Sequence, residues 1–137
     1  SNNPCIILDG AHNLAAARNV TKFLSTNLAG KAITLVVGIL DDKPYKAMLK
    51  SLLTPVHRVI LTRAKINRAL EPRRLYEAAK NLITDVTIIP DVGQAIKKAV
   101  ETTPRQGVIC IAGSLYVVGE AKEALAKGLV SGCRKSN

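Results

Sequence analysis

The chain has 137 residues, 47% hydrophobic but only 3% aromatic, and a formal net charge of +10. That length suits one domain, residues 1–137, with an aliphatic core, and no apolar run approaches the ~20 residues a membrane span needs. The charge favours anionic partners, but the basic residues are spread along the chain and stacking aromatics are few, so neither nucleic acid nor membrane is expected as a partner.

The chain opens on Ser-Asn without a Met, as an excised fragment would, and lacks a charged-then-apolar leader pattern. Cys5 and Cys110 lie inside apolar runs and Cys133 lies near the tail; their number is odd and no CxxC occurs. Reduced thiols in a cytoplasmic protein are the expectation.

CIIL at 5–8 reads as a buried strand. A helix follows, capped by Asn13, with Leu14, Ala17, Val20, Leu24 and Leu28 at helical spacing and Gly30 as its stop. AITLVVG at 32–38 is the second strand. Pro44 opens a helix through Leu53, with Met48, Leu49 and Leu52 inward. RVILT at 58–62 is the third strand, followed by a polar loop. Pro72 opens a helix to about Leu82, and VTIIP at 86–90 is the fourth strand. A helix spans about Val92 to Thr102, GVICIAG at 107–113 is the fifth strand, and the last helix is expected from Val118 to Leu129 before a frayed tail.

Strand and helix alternate strictly, with short connections and nearly continuous apolar strands. That pattern predicts a doubly wound, mainly parallel α/β sheet of about five or six strands flanked by helices, Rossmann-like in outline. Ligands bind such sheets beyond the strands' carboxyl ends. There the loops DGAHN, GILDDK, TRAKINRA and GSLYVVG would gather Asp9, His12, Asp41, Asp42, Lys43, Arg63, Arg68, Ser114 and Tyr116 on one rim. Gly10 and Gly113 permit sharp turns, and Gly113 is expected to expose the Ser114 hydroxyl. The plainer alternatives are an Asp9 turn cap, an Asn13 helix cap and a surface His12. No GxGxxG, GxxxxGK[ST] or GxSxG is present, and two histidines with poor spacing give no metal cluster.

These residues also carry a resemblance. LDGAHN resembles the strand-to-helix motif that opens the C-terminal domain of folylpolyglutamate synthases, in the Mur ligase superfamily. VVGILDDKPYKAML, LTRAKINRALEPRRL, DVGQAIKKAV and CIAGSLYVVGEAKEAL resemble its later segments in order, over roughly residues 5–127. The family usually has Pro where Leu14 stands, and commonly an acid where Pro44 stands.

The resemblance implies a C-terminal (glutamate ligase) domain without the N-terminal ATPase domain that bears the P-loop. It implies ATP-dependent addition of L-glutamate to folate through an acyl phosphate, with ATP and Mg²⁺ held mainly by the missing domain. By the same analogy Asp9 binds ATP or closes the domains, and His12 and Ser114 hold glutamate. Asn13, Lys43, Arg68 and Tyr116 make rim contacts. No catalytic residue in isolation and no metal ligand is assigned to this domain, so the isolated chain is expected to be inactive. A monomer is expected, with the ATPase domain of the same polypeptide as its partner. The alternatives are a related Mur ligase acting on a peptidoglycan precursor and a non-catalytic nucleotide-binding module.

Overall fold

The computed structural model describes residues 3–128 and the backbone of residues 134–136. In chain order the elements are β1 (Cys5–Leu8), α1 (Leu14–Asn27), β2 (Ile33–Val37), α2 (Tyr45–Leu52), β3 (Arg58–Leu61) and α3 (Pro72–Ala79). They continue with β4 (Val86–Ile88), α4 (Val92–Thr102), β5 (Val108–Ala112), α5 (Leu115–Ala126) and β6 (Arg134–Ser136). Every strand pair among the described residues is parallel, and the sheet order is β4-β3-β2-β5-β1-β6. Register is set by apolar runs lying side by side: Ile7 opposes Cys110, and Leu35 opposes the same cysteine from the other side.

The alternation of side chains along each strand divides the core in two. Ile7, Leu35, Val37, Leu61 and Cys110 face α1, α2 and α3, where they meet Val20, Leu24, Met48, Leu49, Leu52 and Leu75. Ile6, Leu8, Val36, Ile60, Ile109 and Ile111 face α4 and α5, against Ala95, Ile96, Val117 and Ala121. The central strands β2 and β5 are buried along their whole length, which is why their sequences are apolar without alternation. The buried Thr34 is satisfied by Thr103, with hydroxyl oxygens 2.7 Å apart.

The structure corrects three expectations. First, α5 begins at Leu115, not Val118, because Gly113 turns at φ +110° and Ser114 caps the next residues into a helix; the expected end at Leu129 lies outside the described residues. Second, α3 ends at Ala79 rather than Leu82; residues 80–82 form a turn and leave Leu82 exposed. Third, residues 134–136 of the expected frayed tail pair with β1 from Ile6 to Leu8.

Candidate functional site at the carboxyl ends of the strands

The helix after β5 lies on the opposite face from the helices after its neighbours β1 and β2. The carboxyl end of β5 is therefore where the helices switch faces, the position at which open α/β sheets bind ligands.

On the β1 side, Asp9 N–H donates to Ile111 O at 2.9 Å and carries β5 pairing one residue past the strand. The Asp9 carboxylate then accepts from Ala11 N–H at 3.0 Å, a turn closed by its own side chain. Gly113 N–H donates to Ala11 O at 3.1 Å and stitches the β1 and β5 loops together. At Gly113 a Cβ would stand 2.4 Å from Gly38 O, so the β2 and β5 loops touch through bare backbone.

His12 is half-buried beside this stitch, and its Nδ1 lies 2.9 Å from Gly10 O. A carbonyl only accepts, so Nδ1 carries the proton in that bond. In the neutral ring Nε2 is then an acceptor, and no hydrogen bond to it is made among the described residues. Asn13 serves as the cap of α1, its Oδ1 accepting from Ala16 N–H at 2.8 Å. Ser114 contradicts the expectation of an exposed hydroxyl: it is 1% exposed, and its Oγ accepts from Val117 N–H at 3.0 Å. The reason is local. The turn at Gly113 directs the serine inward to cap α5, while Leu115 and Tyr116, 61% and 46% exposed, occupy the rim.

Lys43 and Arg68 belong to a second group, on the β2 and β3 loops. Leu40 bridges Ala69 antiparallel, Asp41 N–H donates to Arg68 O at 2.8 Å, and Leu70 N–H donates to Ile39 O at 2.9 Å. This clasp brings Arg68 to both carboxylate oxygens of Asp42 at 3.3 Å. Desolvation pushes the Asp42 carboxyl up, but its own backbone N–H, Arg68 and Lys43 together hold it below the usual range. Arg63 pairs with Glu71. Beneath the rim, burial pushes the Cys110 thiol up to about 12, and the Asp9 charge adds to it.

The arrangement therefore offers a carboxylate, an imidazole and the starts of α1 and α5 where the β1 and β5 loops meet, and a separate ion-paired arginine on the β2 and β3 loops. Sequence reasoning missed Leu115, whose side-chain end would meet a Cβ on Gly10 at 2.6 Å, and Gly38, where a Cβ would stand 2.8 Å from Thr62 O. A glycine closing an apolar strand was the available signal for Gly38. Among the described residues no three His, Cys, Asp or Glu side chains come together as a metal-ligand set.

The fold is that of a doubly wound, parallel α/β domain. The chain belongs to the family described as dihydrofolate synthetase, C-terminal domain, which matches residues 1–124. It is 28% identical over 123 residues to the dihydrofolate synthase/folylpolyglutamate synthase of Bacillus subtilis, covering 90% of this chain and 28% of that protein. It is 30% identical over 128 residues to the folylpolyglutamate synthase of Lacticaseibacillus casei, covering 93% of this chain and 28% of that protein. Among solved structures, the bifunctional enzyme of Yersinia pestis complexed with AMPPNP and Mn ion aligns at TM-score 0.80 and 27% identity, covering 88% of this chain and 28% of that one. The folylpolyglutamate synthase of Thermotoga maritima aligns at TM-score 0.74 and 34% identity, covering 87% and 27%. The chain thus spans 28% of the length of the two curated relatives.

Proposed function

We propose that this chain is the C-terminal domain of an ATP-dependent ligase that adds L-glutamate to a folate. The observation that carries the reading is the pairing of the family match with a rim that joins Asp9 and His12 at the β1–β5 crevice. ATP activates the γ-carboxylate of the acceptor as an acyl phosphate, with a divalent ion offsetting phosphate charge. The amine of the incoming glutamate then attacks that carbonyl, and the adduct collapses to the amide and phosphate.

The chain has no GxxxxGK[ST]. We therefore assign the phosphate cradle, and with it the metal, to an N-terminal ATPase domain of the same polypeptide, and read residues 1–137 as a single domain. Asp9 accepts a hydrogen bond from the ATP ribose or ties down the closed domain. His12 offers Nε2 to the incoming glutamate while Gly10 O orients the ring. Ser114 acts through its cap, which orders the first turn of α5 so that its N–H groups face a glutamate carboxylate. Asn13 does the same for α1, and Lys43, Arg68 and Tyr116 border the rim. The family description and the Bacillus subtilis relative favour a second activity, joining dihydropteroate to glutamate at the same site.

The test is ATP-dependent incorporation of labelled glutamate into a folate acceptor. The full-length protein should turn over and the 137-residue chain alone should not. Turnover by the isolated chain would overturn the two-domain reading, and an inactive full-length protein would overturn the ligase reading.

A further inference from the structure

The two helical layers differ sharply in charge. α1, α2 and α3 carry Arg18, Lys22, Lys46, Lys50, Arg73 and Arg74 against one acid, Glu77. α4 and α5 carry three basic residues and three acids. Within the helices, the excess of positive charge therefore sits on one face. All six basic side chains are on exposed residues. Arg73 shares Glu77 with Lys80, whereas Arg18, Lys22, Lys46 and Lys50 have no ion-pair partner among the described residues.

The helix contacts align these charges. Thr21 Oγ1 lies 2.8 Å from Ser51 O and 2.8 Å from Ser51 Oγ, so α1 meets α2 at that point, with Lys22 and Lys50 as the next residues. Lys46 lies one turn before Lys50, about 6 Å along the axis. Tyr45, beside Lys46, sits under the Arg74 guanidinium, 5.7 Å from ring centre, and its hydroxyl is 3.5 Å from Arg74 Nη2. Arg18 lies one turn before Lys22, towards the start of α1 at the rim. The result is a basic strip running from the rim across α1 and α2 to α3.

We propose that this strip docks the polycarboxylate tail of an acceptor folate that already carries several γ-linked glutamates; this rests on the ligase reading above. Each γ-linked residue presents one α-carboxylate, so the tail is a flexible polyanion that the strip's charge complements. Nucleic acid is less favoured, because the two tyrosines of this layer, Tyr45 and Tyr76, already lie against Arg74 and Arg73.

Two triple variants of equal charge change test this in the 137-residue chain. One carries Lys22→Gln, Lys46→Gln and Lys50→Gln; the control carries Lys97→Gln, Lys98→Gln and Lys122→Gln on the other face. Circular dichroism checks that both fold, and fluorescence anisotropy measures binding of a labelled γ-linked hexaglutamate at low salt. The first variant should weaken binding about tenfold, as three exposed charge contacts would, and the control by less than about twofold. Equal losses in both, no measurable binding by the native chain, or tighter binding of single-stranded DNA of matched charge would overturn the proposal. In the full-length enzyme, the first variant should abolish any fall in KM with tail length while leaving the KM of the monoglutamate acceptor unchanged. If the ligase reading fails but hexaglutamate still discriminates the variants, the strip stands as an acidic-peptide site and only its substrate is lost.

Discussion

Ser114→Ala separates a structural role from a ligand-binding one. The native hydroxyl accepts from Val117 N–H at 3.0 Å, and both residues are 1% exposed. Alanine removes the acceptor and leaves a buried donor that water reaches poorly. Loss of a serine cap costs about 0.5–2 kcal/mol, and a buried unpaired N–H places this site near the top of that range, about 2 kcal/mol. For a domain of this size that corresponds to a fall in Tm of about 6–8 °C. Circular dichroism at 222 nm on the 137-residue chain measures it. In parallel, kcat/KM for glutamate should be followed in the full-length enzyme at 25 °C, well below the melt. If the serine works only through its cap, the rate should fall no more than a few-fold. An unchanged Tm would refute the cap argument. An unchanged Tm with a rate loss of about 100-fold or more, some 2.7 kcal/mol, would mean that the hydroxyl serves the substrate directly.

Asp9→Asn keeps an acceptor for Ala11 N–H but removes the charge; kcat/KM for ATP in the full-length enzyme should fall about 30-fold or more if the carboxylate meets the ligand, and native-like kinetics would reduce Asp9 to a turn residue. Gly113→Ala puts a Cβ 2.4 Å from Gly38 O at φ +110°, and should cost about 3 kcal/mol or more, read from urea unfolding; a near-native midpoint would show that the loops can part. Asp91 caps α4, and its carboxyl is held below 3.8 first by the Gln94 backbone N–H, then by Lys65. Because the folded value is lowered, its stabilisation is present above that pH and lost as pH falls through the folded value. Asp91→Ala should therefore cost about 1 kcal/mol at pH 7, with the gap to wild type closing on acidification below 3.8. The Cys110 thiol, pushed up to about 12, should resist alkylation at pH 8 until the chain unfolds; peptide mapping that finds rapid native-state labelling at Cys110 would contradict its burial.

The central strands were readable because β2 and β5 are covered on both faces and so are apolar throughout. The beginning of α5 was not. SLYVVG combines β-branched residues with a glycine, and its helical character comes from the Ser114 cap and from packing of Val117 and Val118 rather than from propensity. The last turn expected for α3 failed for the converse reason: Leu82 and Ile83 keep apolar spacing, yet the chain turns at Lys80 towards β4. β6 carries Arg-Lys-Ser and no apolar pattern, and an edge strand held by backbone bonds leaves little trace in composition. At the site, parallel topology alone placed Asp9, His12 and Ser114 on one rim. Which of them is buried, and that Arg68 meets Asp42 across the β2 and β3 loops while Arg63 meets Glu71 within its own loop, depends on loop conformation that spacing does not encode.

The sheet order carries a consequence for how the chain assembles. β1 is made first, yet its neighbours are β5 and β6, the last two strands to be made. β2, β3 and β4 are adjacent in both sequence and space, so they can pair as soon as their helices form. During synthesis β1 must wait, its edges unpaired, while about 100 residues are added and β5 slides between it and β2. A nascent fragment ending before Val108 should therefore protect the amides of Leu35 and Ile60 from hydrogen exchange and leave those of Ile6 and Ile7 open. The strand that leads into Asp9 and His12 is the first of this sheet to be made and among the last to find its place, so the rim can exist only after nearly the whole domain has been made.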